Sequence, residues 1–265
     1  MTINIDNYLN VLIAGKGKVG SAIGNLIEKT ELFEVAYEDP FIQLFVEGYF
    51  FPDIIHITFP LYNRDQYVTD VQRILNRFVL NNKGKDPHFG DYPIIVIFDS
   101  TIVLDILPQL QEVYGTYCDF VYSPVRGTDK VLEEELLKYQ RYYAPVYSKD
   151  KHLQKIIDKY YTEIGMEPKF FESSEALILG KLASVGWYTM NIAFTQEIFQ
   201  ICQSKGLDFD QVYTEFNKNE TVGHHYDQEK GADYYMERPT FFPGIIGGKC
   251  CIQDAVLMLR NQYGN

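Results

Sequence analysis

Apolar residues recur along the first two-thirds of the chain in short blocks, each followed by a stretch with helical spacing. The blocks are VLIA (11–14), FEVAYED (33–39), DIIHITFP (53–60), YPIIVIFDST (92–101), DFVYSPV (119–125) and RYYAPVYS (141–148). Their length and their β-branched and aromatic content predict strands. Between them, 67–79, 103–115, 131–142 and 151–165 carry apolar positions three and four apart and predict helices. The stretch 81–91, with its Asn, Gly and Pro, predicts a loop. Strands that alternate with helices predict a doubly wound parallel sheet, with ligand at the carboxyl ends of the strands. A first domain is expected over residues 1–170, with KFFESSE (169–175) as the link to a second over 171–265.

The second region has a different pattern. Residues 173–204 form the longest helical candidate, with Ser173 or Ser174 as its cap and Gly206 as its stop. It is apolar around most of its circumference and dotted with Gly180, Ala183, Ser184, Gly186 and Ala193, which predicts a buried helix closely approached by neighbours. Lys181 stands alone on it, as a snorkelling lysine or a functional one. A further helix is expected over 207–219, an irregular polar and aromatic run over 221–242, and a final helix after the glycine-rich turn at 247–248.

The segment that carries most chemistry is VLIAGKGKVGSAIGNLIEK (11–29). Gly15, Gly17 and Gly20 sit between a strand and a helix. The first allows a tight turn, the second lets a pyrophosphate approach the backbone, and the third lets the helix pack on the strand. Lys18 and Val19 open the helix, whose free N–H groups favour phosphate. Asp39, at the end of the second strand, is placed to take a ribose hydroxyl and to repel a ribose phosphate, so NAD is expected over NADP. Pro60, Ser100 and Thr101 end the third and fourth strands and are expected beside the nicotinamide. At the other end of the chain, Cys250 follows Gly247, Gly248 and Lys249. A helix start and a neighbouring lysine favour its thiolate, although free cysteines are also common as small buried hydrophobes. His56 reads as a hydrogen-bonded core residue, and the run around His224 and His225 as a solvated loop.

Composition narrows the class. The 265 residues carry 24 basic and 36 acidic side chains, a net charge of −12, which disfavours nucleic acid and anionic membranes as partners. No apolar run is long enough for a membrane span and the N-terminus lacks signal-peptide blocks, so a cytoplasmic protein is expected. The four cysteines have no metal-ligand spacing, and no metal is expected.

Taken in order, these motifs resemble the UDP-glucose/GDP-mannose dehydrogenases, within the wider 6-phosphogluconate dehydrogenase-like group. The matching stretches are GKGKVG, DIIHITFP, DSTIV, the helix ALILGKLASVGWYTMNIAFTQEIFQ with the GLD that follows, and PGIIGGKCCIQDA, similar to the family's GGxCxxKD signature. The resemblance implies an α/β fold: an N-terminal Rossmann domain with a doubly wound parallel sheet, then an all-α domain built on one long helix that makes a homodimer. It implies an NAD-dependent oxidoreductase in which Cys250 attacks an aldehyde to form a thioester, Lys181 stabilises an oxyanion or moves a proton, and Asp254 is the motif's aspartate. Gly247 and Gly248 would line the substrate. Arg126, in SPVRG (123–127), stands near the place of a family glutamate and is expected to bind an anionic group of a small-molecule substrate, possible sugar nucleotides included.

Departures from the pattern bear on the chemistry. Val185 replaces an asparagine, Ile252 and Gln253 replace a proline and a lysine, and the chain is expected to be a short form lacking the C-terminal UDP-binding domain. Two other outcomes therefore stand beside the main one: a β-hydroxyacid dehydrogenase-like enzyme with a single hydride transfer, and a catalytically inactive NAD-binding protein.

Overall fold

The computed structural model describes residues 9–82, 92–127, 131–146, 151–219, 223–226, 233–236, 239–246, 251–252 and 256–257. The chain divides into two compact units, Met1–Lys181 and Leu182–Asn265.

The first unit is built on seven strands: β1 (Leu9–Ala14), β2 (Phe33–Glu38), β3 (Ile54–Ile57), β4 (Ile94–Phe98), β5 (Cys118–Tyr122), β6 (Arg141–Pro145) and β7 (Pro168–Phe170). They lie in the order β2-β1-β3-β4-β5-β6-β7. Helices α1 (Lys18–Glu28), α2 (Arg64–Phe78), α3 (Ile106–Tyr114), α4 (Leu132–Lys138) and α5 (Lys151–Glu163) connect them. Both faces of the sheet are covered, which is why β3 and β4 are apolar at every position except His56. Val11, Ile13, Ile54, Ile95, Ile97 and Val121 pack with residues of α1, α4 and α5. The alternate residues, Leu12, Ile55, Val96 and Phe98, are equally buried on the other face.

From β1 the chain moves to β2 on one side and then to β3 on the other. The carboxyl end of β1 is therefore the topological switch point, where connections leave in opposite directions and open a crevice. The glycine turn lies there.

The sheet departs from the expected parallel pattern at its last two strands. β6 runs antiparallel to β5, Tyr122 facing Ala144 and Val121 facing Pro145, while β7 lies parallel to β6. A parallel return needs a crossover that carries the chain back along the sheet. The seven-residue α4 advances only about 10 Å, and β6 begins at the edge where β5 ends. Phe170 and its neighbours, expected as linker, instead extend the sheet as β7.

In the second unit the long helix, α6 (Ser174–Lys205), continues from Leu182. Its start is the Ser173 cap, whose Oγ accepts the Ala176 N–H at 3.1 Å, and Gly206 ends it at φ +67°. A π-helical turn (Asp210–Glu215) runs into α7 (Phe216–Asn219). Its Tyr213 is buried and accepts the hydroxyl of Thr195 at 3.0 Å. The run expected to be irregular contains a hairpin, β8 (Gly223–Tyr226) with β9 (Asp233–Met236), His225 opposite Tyr234. Its tyrosine content favours strand, which the polarity of the flanking run obscured. The expectation that α6 is buried holds at Leu177, Ile178 and Leu182. It fails further along, where Trp187, Tyr188, Met190, Phe194 and Ile201 are exposed.

Candidate dinucleotide and substrate site

Each glycine of the turn has a distinct local cause. Gly15 has φ +104°, and a Cβ there would stand 2.8 Å from Thr58 Oγ1 and 3.1 Å from the Phe59 nitrogen. Gly20 is more constrained, since its Cβ would lie 1.8 Å from the Gly15 carbonyl oxygen. At Gly17 an added Cβ meets nothing within 4 Å. Two glycines are thus fixed by packing, and the third leaves an exposed backbone edge at the start of α1. Gly17 caps that helix without any side-chain hydrogen bond, so the first-turn N–H groups are directed outward. Lys18 and Val19 form that first turn.

Asp39 follows β2 and reaches back to the turn. Its Oδ2 accepts the Lys16 N–H at 2.7 Å, and its Oδ1 accepts the Phe41 N–H at 2.9 Å. The Gly15 N–H donates to the Glu38 carbonyl at 2.8 Å. Asp39 is only 7% exposed, because residues 40–46 fold over it. Glu38 fastens that segment: it pairs with Arg77 at 2.7 Å and accepts the Val46 N–H, while Arg77 donates to the Val46 carbonyl. A narrow crevice lined by Gly15, Asp39, Phe41, Phe59, Arg73 and Ile74 remains beside the turn. Lys16 is held with its ammonium 4.1 Å from the centre of the Tyr37 ring. Burial, together with a hydrogen bond to Glu28, pushes the Tyr37 phenol well above its ordinary range.

Thr58, which the sequence reading passed over, ties two of these parts together. Its hydroxyl lies within hydrogen-bond distance of the Ala14 and Gly15 carbonyls, at 2.9 and 2.7 Å. Pro60, two residues on, is exposed.

A second group lies at the carboxyl ends of β4 and β5. Ser100 is buried, its Oγ 2.7 Å from the Tyr67 hydroxyl, and Thr101 is half-buried. The Val125 N–H donates to the Asp99 carbonyl at 3.0 Å, which brings the loop after β5 against the loop after β4. Lys181, half-buried on α6, donates from Nζ to the Val125 carbonyl at 3.0 Å. The next residue, Arg126, is exposed and lies 4.7 Å from the centre of the Tyr142 ring. Lys181 is thus fastened to the backbone of the loop that carries Arg126. Cys250, Asp254, Gly247 and Gly248 lie outside the described residues.

His56, on β3, is fully buried. Its Nδ1 is 2.8 Å from Asp99 Oδ2 and its Nε2 is 2.8 Å from the Tyr160 hydroxyl. An ionised Asp99 only accepts, so the network assigns the proton to Nδ1, and Nε2 accepts from Tyr160. Arg141 donates to the other oxygen of Asp99 and, at 2.7 Å, to the Ser123 carbonyl. All four side chains are nearly closed to solvent.

No protein-family model and no curated protein matches the sequence. Solved structures do match. One is a UDP-D-ManNAc dehydrogenase from Pyrococcus horikoshii, at TM-score 0.67 and 14% identity, over 97% of this chain and 65% of that one. The chain has the fold of the nucleotide-sugar dehydrogenases. A UDP-glucose dehydrogenase from Pyrobaculum islandicum matches at TM-score 0.66 and 15% identity, over 99% of this chain and 65% of its own length. A 3-hydroxyisobutyrate dehydrogenase from Mycobacterium tuberculosis matches over 79% of this chain and 70% of that one, at TM-score 0.56 and 14% identity. The chain therefore spans slightly less than two-thirds of the two sugar-nucleotide enzymes. Among the described residues, no helix is long and apolar enough to cross a membrane.

Proposed function

We propose that the protein is an NAD-dependent dehydrogenase acting on the CH–OH group of a small anionic substrate. The observation that carries this reading is the glycine turn: Gly15 and Gly20 are fixed by close approach, and Gly17 leaves open space at a helix start on the switch point. This cradle fits a pyrophosphate, which needs a bare backbone edge and outward N–H donors. Asp39 stands beside the turn as the acidic partner of a ribose. NAD supplies the hydride acceptor when bound. Gly17, Lys18, Val19 and Gly20 would bind its phosphates, with Gly15 shaping the turn, and Pro60, Ser100 and Thr101 would border the nicotinamide half.

Arg126 would orient the anionic group of the substrate, such as that of a sugar nucleotide, and Lys181 would move a proton or stabilise an oxyanion at the reacting carbon. Cys250 is assigned the role of nucleophile in a two-step oxidation, with Asp254, Gly247 and Gly248 as the other members of its sequence motif. The likeness to a 3-hydroxyisobutyrate dehydrogenase favours a second reading, a single hydride transfer that leaves Cys250 dispensable. Product stoichiometry separates the two, with two NADH per substrate for the first and one for the second. An inactive NAD-binding protein would bind NADH and turn over nothing in the same assays.

The homodimer expected from the long helix has support on α6. Ala183, Trp187, Met190, Phe194 and Ile201 are exposed at alternating spacings that Glu197 completes, the pattern of a helix–helix seam. A cytoplasmic site of action accords with this reading.

Calorimetric titration with NAD, NADH and NADPH, alone and with sugar nucleotides and hydroxy acids, tests the proposal. Micromolar to submillimolar NAD binding, strengthened by one panel member, is expected. Failure to bind any dinucleotide would sink it.

A further inference from the structure

The register of the sheet ladder between β4 and β5 ends at Phe98 and Tyr122. Beyond it lie the two loops that carry Thr101 and Arg126. Two backbone hydrogen bonds link them, Ser123 N–H to the Phe98 carbonyl and Val125 N–H to the Asp99 carbonyl. A further tie is a side chain from another strand. Arg141 is the first residue of β6, and because β6 is antiparallel to β5 that first residue falls at the carboxyl edge of the sheet. A parallel β6 would have placed it at the opposite edge. From there Arg141 reaches across the end of β5, donating to the Ser123 carbonyl, and pairs with Asp99 at the end of β4. His56 holds the other oxygen of the same carboxylate, and the Tyr160 hydroxyl holds His56.

A buried ion pair is weak evidence for stability, since apolar residues of similar volume often serve as well. Its location carries more information. Asp99 immediately precedes Ser100 and Thr101, and Ser123 opens the 123–127 loop. The Asp99–His56–Tyr160 chain is closed to solvent and so has no access to a substrate.

We infer that the Asp99–Arg141 pair positions the carboxyl-end loops of β4 and β5 for the nicotinamide half of the bound dinucleotide. This rests on the dinucleotide-binding reading above. Both residues act through the loops they fasten, and neither touches the ligand. The glycine turn and Asp39, two strands away, hold the ADP-ribose half independently of this tie.

The test compares NADH with ADP-ribose, which lacks the nicotinamide, by calorimetry on the full-length chain. In the double variant Asp99→Leu/Arg141→Met, ADP-ribose should bind within about twofold of wild type, and NADH at least tenfold more weakly. Arg141→Lys keeps the charge, but a shorter side chain with a tetrahedral ammonium replaces the planar guanidinium whose one terminal nitrogen makes both bonds; it should weaken NADH about threefold and leave ADP-ribose unchanged. It serves as the deciding variant if the double variant does not fold. An unchanged NADH to ADP-ribose ratio, or an equal loss of both, overturns the inference while leaving dinucleotide binding intact. If wild type binds neither ligand, the functional reading falls and the inference falls with it.

Discussion

In the first unit, α2 buries Tyr67, Val68, Val71, Ile74, Leu75 and Phe78, and even the charged Asp99 and Arg141 are enclosed and paired. In the second unit, α6 leaves Trp187, Met190, Phe194 and Ile201 at the surface, Met190 at 74% exposure. The first helix turns its apolar residues inward, and the second presents part of its own at the surface. Exposed apolar stripes of this kind mark association surfaces. The contrast is between a helix whose apolar face is covered within the chain and one whose apolar stripe stays exposed among the described residues.

The largest effect should come from breaking the enclosed pair on one side. Asp99→Ala leaves the Arg141 charge buried opposite nothing and should cost about 3–5 kcal/mol in urea unfolding. A cost below 1 kcal/mol would show that water reaches the pair. Gly20→Ala comes next. Its Cβ cannot coexist with the Gly15 carbonyl, so α1 must shift, at about 1–3 kcal/mol and with loss of NADH binding in calorimetry. Retained affinity would mean that the turn is not the phosphate site.

Alkaline titration sharpens the comparison in the first unit. Burial raises the phenols of Tyr37, Tyr67, Tyr143, Tyr160 and Tyr161 above their ordinary value. The native state thus keeps protons that the unfolded chain loses above pH about 10, so stability is full below that pH and falls as pH rises. After exposed tyrosines such as Tyr49 and Tyr62 have ionised, the tyrosinate absorbance of these buried phenols should therefore appear as a second step together with the loss of circular dichroism. Ionisation of these phenols while the fold persists would contradict the burial.

The second unit is tested by Met190→Asp with Phe194→Glu. A shift from dimer to monomer in light scattering is expected, with unfolding of the first unit unchanged. A wild-type monomer would remove the seam. The smallest effect is at Lys29, whose ion pair with Glu133 is exposed at 3.0 Å. Lys29→Ala should cost about 0.2–1 kcal/mol. The Asn25 hydrogen bond and the lysine hold the Glu133 carboxyl below its usual range, so this small contribution is present above the ordinary carboxylate pKa and lost as pH falls.

Local rules made much of the fold legible. Apolar runs of four to six residues between helical spacings specify a covered sheet because both faces of each strand must be buried. Ser173 and Gly206 bound the long helix because capping and a positive φ are properties of residue type. The spacing of Gly15, Gly17 and Gly20 likewise dictated a strand-to-helix turn, since what a missing Cβ permits is a local matter.

Tertiary structure decided the rest. The direction of β6 depends on where the short α4 delivers the chain. That direction alone brings Arg141 to Asp99, 42 residues away in sequence. No local pattern distinguishes an arginine that starts an edge strand in solvent from one enclosed beneath a site. Nor did apolarity reveal which face of α6 would be covered, because burial is a relation between surfaces and the sequence of one helix specifies only its own.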